Sequence, residues 1–298
     1  MFEHTFPLSY LAIILGFLLG IGFTAAFISF VSGFILLFLI SIGVIRIMPI
    51  LNIFKNISKK FLPEQLNTIE ENIKTSFKIS GDLEKGRYIY MWHPHGVFAT
   101  TIFFHNITKF TDWPSHLRNM KVAVFSYLQW LPFTSEFFEE YGAIPCDYFT
   151  MKKTLNEGTS ISVSAGGMRE MLYEDTIVIS KRRGIFRMAL ETGTPLVPVV
   201  SAGESKVWEL AKIPSWMHKL IEPYDACVAI PTYKSILRFL GLLQNPLKDP
   251  ITTVIGKPIH VEKKESPTED DICNLRSTYI VAIKELYKKE VGKELHIL

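Results

Sequence analysis

Residues 7–51 read PLSYLAIILGFLLGIGFTAAFISFVSGFILLFLISIGVIRIMPIL, and Arg46 is the only charged residue among them. The simplest account of so long a stretch without charge is a membrane-embedded segment. One helix needs about 20 apolar residues to cross the hydrocarbon core of a bilayer, and this run is about twice that. It reads as two spans, 8–28 and 31–50, joined near 29–33. A single tilted or re-entrant helix is the alternative. A secretory signal fits poorly, because the chain opens with Glu3 and His4 and the run is too long. Lys55, Lys59 and Lys60 come directly after it. Positive charge at that boundary puts the body of the chain on the cytoplasmic side. The expected organisation is therefore a membrane hairpin with a basic flank over 1–60, then a cytosol-facing domain over 61–298.

The second part has a different texture. Across the whole chain 20% of residues are charged and the net charge is only +3, so the body is globular, and no basic stripe with interleaved aromatics invites nucleic acid. Three scattered cysteines, Cys146, Cys227 and Cys273, form neither a disulfide framework nor a zinc motif. They read as reduced, mostly buried thiols. Strand-like runs occur at 87–92, 121–126, 160–165, 176–180, 196–201 and 252–255. Helical runs lie between some of them. One is 184–192, stopped by Gly193 and Pro195; another is 269–289, opened by Thr268 as N-cap. Alternating strands and helices predict an α/β body.

Three pieces can carry chemistry. The first is His93-Pro94-His95-Gly96, directly behind an apolar strand. Proline ends strand pairing, and glycine admits close approach. An imidazole there suits proton transfer near neutral pH. A metal site is the rival reading, but the remaining candidate ligands His105, His116 and His218 are scattered; two packed histidines are the bland one. The second is Ser164-Ala-Gly166-Gly167-Met-Arg-Glu170. A strand running into a Gly-Gly turn offers N–H groups to an oxyanion, and Glu170 is placed to orient an imidazole. Ser162-Val-Ser164-Ala-Gly166 is one residue short of a nucleophile elbow, so a serine hydrolase using Ser164 stays open. The third is 181–187, where Lys181, Arg182, Arg183 and Arg187 cluster at a helix start. Arginine pairs well with phosphate, although a solvated charged face explains such a run equally well.

Taken together the chain resembles the diacylglycerol/monoacylglycerol acyltransferase family, type 2. The resemblance rests on HPHG at 93–96, GGMRE at 166–170, RRGIFRMALETGTPLVPVVSAGE at 182–204 and IGKPIHVEK at 255–263. It implies a glycerolipid-acyltransferase-like sheet flanked by helices, behind the membrane hairpin. It also implies acyl-CoA as donor and diacylglycerol, monoacylglycerol or another lipid alcohol, such as a wax alcohol, as acceptor. Acyl-CoA enters as co-substrate, with no cofactor and no metal. His95 and Glu170 match the family's catalytic positions, with His93 beside them. Gly96, Gly166, Gly167, Arg182, Arg183 and Arg187 are the expected substrate-binding set. The expected partners are the bilayer and the two substrates; a homo-oligomer is left open. The expected location is the endoplasmic reticulum membrane. Two departures stand out. Related glycerolipid enzymes carry an Asp after four residues beyond the histidine; here that count reaches Thr100 from His95 and Phe98 from His93. In LPFTSEFFEEYG at 131–142, Ser135 stands where the family usually has Arg.

Overall fold

The structure is a computed structural model. It describes residues 68, 71–73, 75–80, 83–97, 99–102, 120–125, 142–212, 214, 229–239 and 242–298. The expected hairpin, Ser135, Cys227, His105, His116 and His218 lie outside the described residues. Among the described residues no helix is long and apolar enough to cross a membrane.

A mixed sheet organises the body. Its strands in chain order are β1 (Thr75–Ile79), β2 (Ile89–His93), β3 (Lys121–Val124), β4 (Ala143–Pro145), β5 (Ile161–Val163), β7 (Leu196–Ala202) and β8 (Ile251–Ile255). Their spatial order is β1-β8-β7-β2-β5-β3-β4. Neighbours run parallel throughout, except where β7 meets β8. β2 is central and buried at every residue, as its unbroken apolar run IYMW demands of a strand covered on both faces. The expected strand at 176–180 shrinks to β6 (Thr176–Ile177). It pairs outside this sheet with β9 (His296–Ile297), so the chain's last residues close over it.

Helices α1 (Tyr148–Asn156), α2 (Gly184–Thr192) and α4 (Glu269–Val291) pack with one face of the sheet; α3 (Tyr233–Phe239) belongs to the connection between β7 and β8. The packed face contributes Ile89, Met91, Ile161, Val163, Leu196 and Val200. The other face holds Tyr90, Trp92, Val197 and Val199. This split follows the two-residue period of a strand. α2 matches its expected bounds and ends on Gly193, whose left-handed conformation lets its N–H reach back to Ala189 and Leu190. α4 begins with a full capping box: the Thr268 hydroxyl receives the Asp271 N–H, and the Asp271 carboxylate receives the Thr268 N–H.

Pro198 sits inside β7, where a missing N–H would normally be costly. β8 pairs with β7 only from Val199 onward, and the chain bends away at Gly256. The Gly256 N–H donates to the Pro198 carbonyl at 2.8 Å, and a Cβ on Gly256 would lie 2.9 Å from the Pro198 ring. Thus the proline falls at an interruption in the pairing, which resumes where Leu196 bridges Ile259.

β2, β5 and β7 all end at the same edge of the sheet. The turns after them, 94–97, 164–172 and 203–207, therefore meet there. Open α/β sheets bind ligands at this carboxyl edge.

Candidate active site

His93 is the last residue of β2, and it is fully buried. The His93–Pro94 peptide is cis. Next door, β5 leads into the turn at 164–167 and then a 3₁₀ turn, Met168–Leu172, which carries Glu170. Glu170 is also fully buried, and it is the hub of the site. Its two carboxylate oxygens lie 3.1 and 3.0 Å from His93 Nδ1. A carboxylate only accepts, so Nδ1 carries the hydrogen. Oε1 also receives the His95 backbone N–H at 3.1 Å, and Oε2 receives the Val178 N–H at 3.2 Å. Burial pushes the Glu170 carboxyl up, but the His93 and His95 rings and the Val178 N–H outweigh it and hold it below its ordinary value. The buried acid is thus held as a carboxylate.

Sequence reasoning expected Glu170 to hold the His95 ring. The structure instead gives it the His93 ring and the His95 backbone. The reason is strand geometry. His93 lies on the face of β2 that carries Ile89 and Met91, and its ring meets Glu170 and, edge-on, Tyr279 of α4 at 6.1 Å. His95 lies beyond the strand, in the turn. Its Nδ1 is 2.8 Å from the Gly96 carbonyl, and its Nε2 is 3.0 Å from the Gly167 carbonyl. Both partners are acceptors. The neutral ring has one N–H and satisfies one of them; the imidazolium satisfies both.

In this structure the carbonyls of the glycine pair face the site's side chains. The Gly167 N–H is committed to the Ser164 carbonyl at 3.3 Å, and the Gly167 carbonyl faces His95. The Gly166 carbonyl accepts from Arg182 at 2.9 Å. Gly167 has φ 67°, and a Cβ there would lie 2.6 Å from the Arg182 guanidinium. A side chain at Gly166 would strike the Glu170 carboxylate, 1.7 Å away. Gly96 is packed too: a Cβ would lie 3.0 Å from Trp208 and 3.3 Å from the Glu204 carbonyl. All three glycines are thus places where another group must come close.

The arginines divide by role. Arg182 braces the glycine turn. Arg183 and Arg187 both pair with Glu269, the first residue of α4; the Arg187 contact is 3.2 Å. Each of these two remains about half exposed. Ser164 Oγ is buried and meets no hydrogen-bond partner among the described residues, histidine included. Cys146 is exposed rather than buried, because it follows the edge strand β4. Among the described residues no group of three or more His, Cys, Asp and Glu side chains is arranged to hold a metal ion. Sequence reasoning missed Val178, Tyr279 and Glu204. Only Glu204 left a trace, as the last residue of the long 182–204 block.

The family model for diacylglycerol acyltransferase matches residues 73–296. The chain is 30% identical to 2-acylglycerol O-acyltransferase 1 of Mus musculus, over 71% of this chain and 68% of that protein. It is 25% identical to acyl-CoA wax alcohol acyltransferase 2 of Homo sapiens, over 69% of this chain and 66% of that protein. The chain thus spans about two thirds of the length of the curated relatives it matches. A solved structure, the 1-acyl-sn-glycerophosphate acyltransferase PlsC of Thermotoga maritima, aligns at TM-score 0.45 and 13% identity over 89% of this chain and 90% of that one.

Proposed function

The chain belongs to the diacylglycerol acyltransferase family, and from that premise we propose that it transfers a fatty acyl group from acyl-CoA to the hydroxyl of a lipid alcohol. Diacylglycerol or monoacylglycerol is the first acceptor to test; a wax alcohol is the next. The observation that carries the reading is the His93–Glu170–His95 cluster at the carboxyl edge of the parallel strands. His93 is sealed, so it serves to hold Glu170. His95 lies in the turn; it is 4% exposed, and its Nε2 contact is part-buried.

In this reading His95 Nδ1 keeps its hydrogen on the Gly96 carbonyl, and Nε2 is the basic nitrogen. The acceptor hydroxyl displaces the Gly167 contact and gives its proton to Nε2 as its oxygen attacks the thioester carbonyl. The imidazolium that forms is held by the Gly96 carbonyl and by the negative charge of Glu170. The tetrahedral intermediate then expels the CoA thiolate, and Nε2 returns the proton to sulfur. No acyl-enzyme forms. Arg183 and Arg187 meet CoA phosphates in competition with Glu269. The hairpin over 1–60 anchors the cytosol-facing domain to the endoplasmic reticulum membrane, where acceptor and product dissolve.

The test is membranes carrying the protein, labelled oleoyl-CoA and a panel of lipid alcohols, read by product class. General base catalysis is worth ~10²–10⁴-fold, so His95→Ala should lose at least the lower figure while the protein accumulates normally. Undiminished transfer by His95→Ala would end the assignment.

A further inference from the structure

Glu204 is a second fully buried acid at the same edge, outside the His93–Glu170–His95 cluster. It opens the 3₁₀ turn Glu204–Val207 after β7, and only 1% of its surface is exposed. Oε2 lies 2.5 Å from Thr101 Oγ1, and Oε1 receives the Thr101 N–H at 3.3 Å. Thr101 Oγ1 lies 2.8 Å from Ser201 Oγ of β7. Beside it, Trp208 Nε1 donates to Thr100 Oγ1 at 3.1 Å. Trp208 and the Glu204 carbonyl are also the groups that crowd Gly96. So the turn beginning at Glu204 grips both ends of the segment 96–101, immediately after His95.

We propose that Glu204 is a positioning residue for the His95 turn and that it acts as an uncharged carboxylic acid. The proposal rests on the acyl-transfer reading for what the turn does, and on geometry for how it is held. Among the described residues, every group that hydrogen-bonds this carboxyl is neutral: two hydroxyls and backbone amides. Arg238 of α3 reaches this turn, but its guanidinium donates to the Val207 carbonyl at 3.3 Å and pairs with Glu209 at 3.1 Å rather than with Glu204. Residues 99–102, the end of β7 and β8 carry no titratable side chain. The 94–97 turn carries His95, whose ring nitrogens face Gly96 and Gly167. On its own turn, Lys206 is half exposed and pairs with Asp249 at 3.3 Å. Burial pushes the Glu204 carboxyl up to about 7, against the hydroxyl and amide hydrogen bonds that lower it. As an acid, its O–H donates to Thr101 Oγ1, which passes its own hydrogen to Ser201. Ionised, it reverses this chain and leaves a buried charge that no cation among the described residues pairs with, loosening the grip on 96–101.

The experiment is a pH–rate profile on the full chain in membranes for wild type, Glu204→Gln, Glu204→Ala and Thr101→Val, with melting temperature against pH on the same proteins in detergent. Gln keeps the shape and cannot ionise. Wild-type turnover should fall by roughly tenfold or more between about pH 7 and pH 9, while Glu204→Gln should stay level there and match wild type near pH 6.5 within about threefold. Glu204→Ala and Thr101→Val should be slow at every pH. Melting temperature reports separately from activity. An acid whose folded pKa is raised loses stability as pH rises through that pKa, so the wild type should lose melting temperature from about pH 5 to pH 8 relative to Glu204→Gln. The proposal is overturned if Glu204→Gln keeps the alkaline fall, if it is as slow as Glu204→Ala near pH 6.5, or if the two melting curves run parallel in pH. Absence of acyl transfer by the wild type with every alcohol would defeat the acyl-transfer reading alone, and the melting curves would then decide the charge state of Glu204.

Discussion

Replacing Glu170 with Gln changes one atom and should dismantle the site. Oε1 receives the His95 N–H and Oε2 the Val178 N–H, each while facing His93 Nδ1. An amide turned either way points its NH₂ at one of those backbone N–H groups. That leaves a buried donor unpaired, at a cost of ~1–3 kcal/mol, and it removes a charge-assisted bond to His93 of similar size. The sum is about 2–6 kcal/mol, before any relaxation. His95 is then free to shift, and a misplacement of about 1 Å at a reacting group can cost ~10²-fold in rate. Asp keeps the charge and all acceptor sites, merely withdrawn by one methylene, so it should retain more activity than Gln. The assay pairs urea unfolding in detergent, monitored by tryptophan fluorescence, with acyl transfer in membranes. pH supplies a further check. Because the folded state holds the Glu170 carboxyl below its ordinary value, its contribution is present above the unfolded pKa and is lost as pH falls through the folded one. Glu170→Gln should therefore lose part of the wild type's acid sensitivity. A Gln variant with wild-type unfolding midpoint and wild-type turnover would refute the hub role.

Gly166→Ala should be as damaging as losing Glu170, since its Cβ would collide with that carboxylate; soluble, active Gly166→Ala protein would contradict the geometry. Glu269→Gln should free Arg183 and Arg187 and lower the KM for acyl-CoA, whereas Arg187→Glu should raise it with little change in kcat; an unmoved KM in both would remove these arginines from the donor site. Arg87 donates to the Leu155 carbonyl at 2.8 Å and to the Thr192 carbonyl at 2.7 Å, clamping the carboxyl ends of α1 and α2. Arg87→Ala should cost about 2 kcal/mol in the same urea assay and leave kcat intact, because this clamp lies at the sheet edge away from His95.

Features that depend on neighbours along the chain are legible in the residues alone. The buried run IYMW made β2 central. Gly193 and Pro195 stopped α2 at Thr192, and Thr268 with Asp271 began α4. The motif blocks carried the family. Short edge elements such as β1, β4 and β9 escaped, because so few residues carry too little pattern and their pairing is set by distant strands. Which imidazole Glu170 holds is set by the fold. His93 and His95 are two residues apart, but one ends a strand and the other begins a turn, and a carboxylate arriving from β5 meets the ring of the first and the backbone of the second. The same holds for Glu204: its neutral surroundings come from the segment after β2 and from the end of β7, about a hundred residues apart, and no local spacing encodes that enclosure.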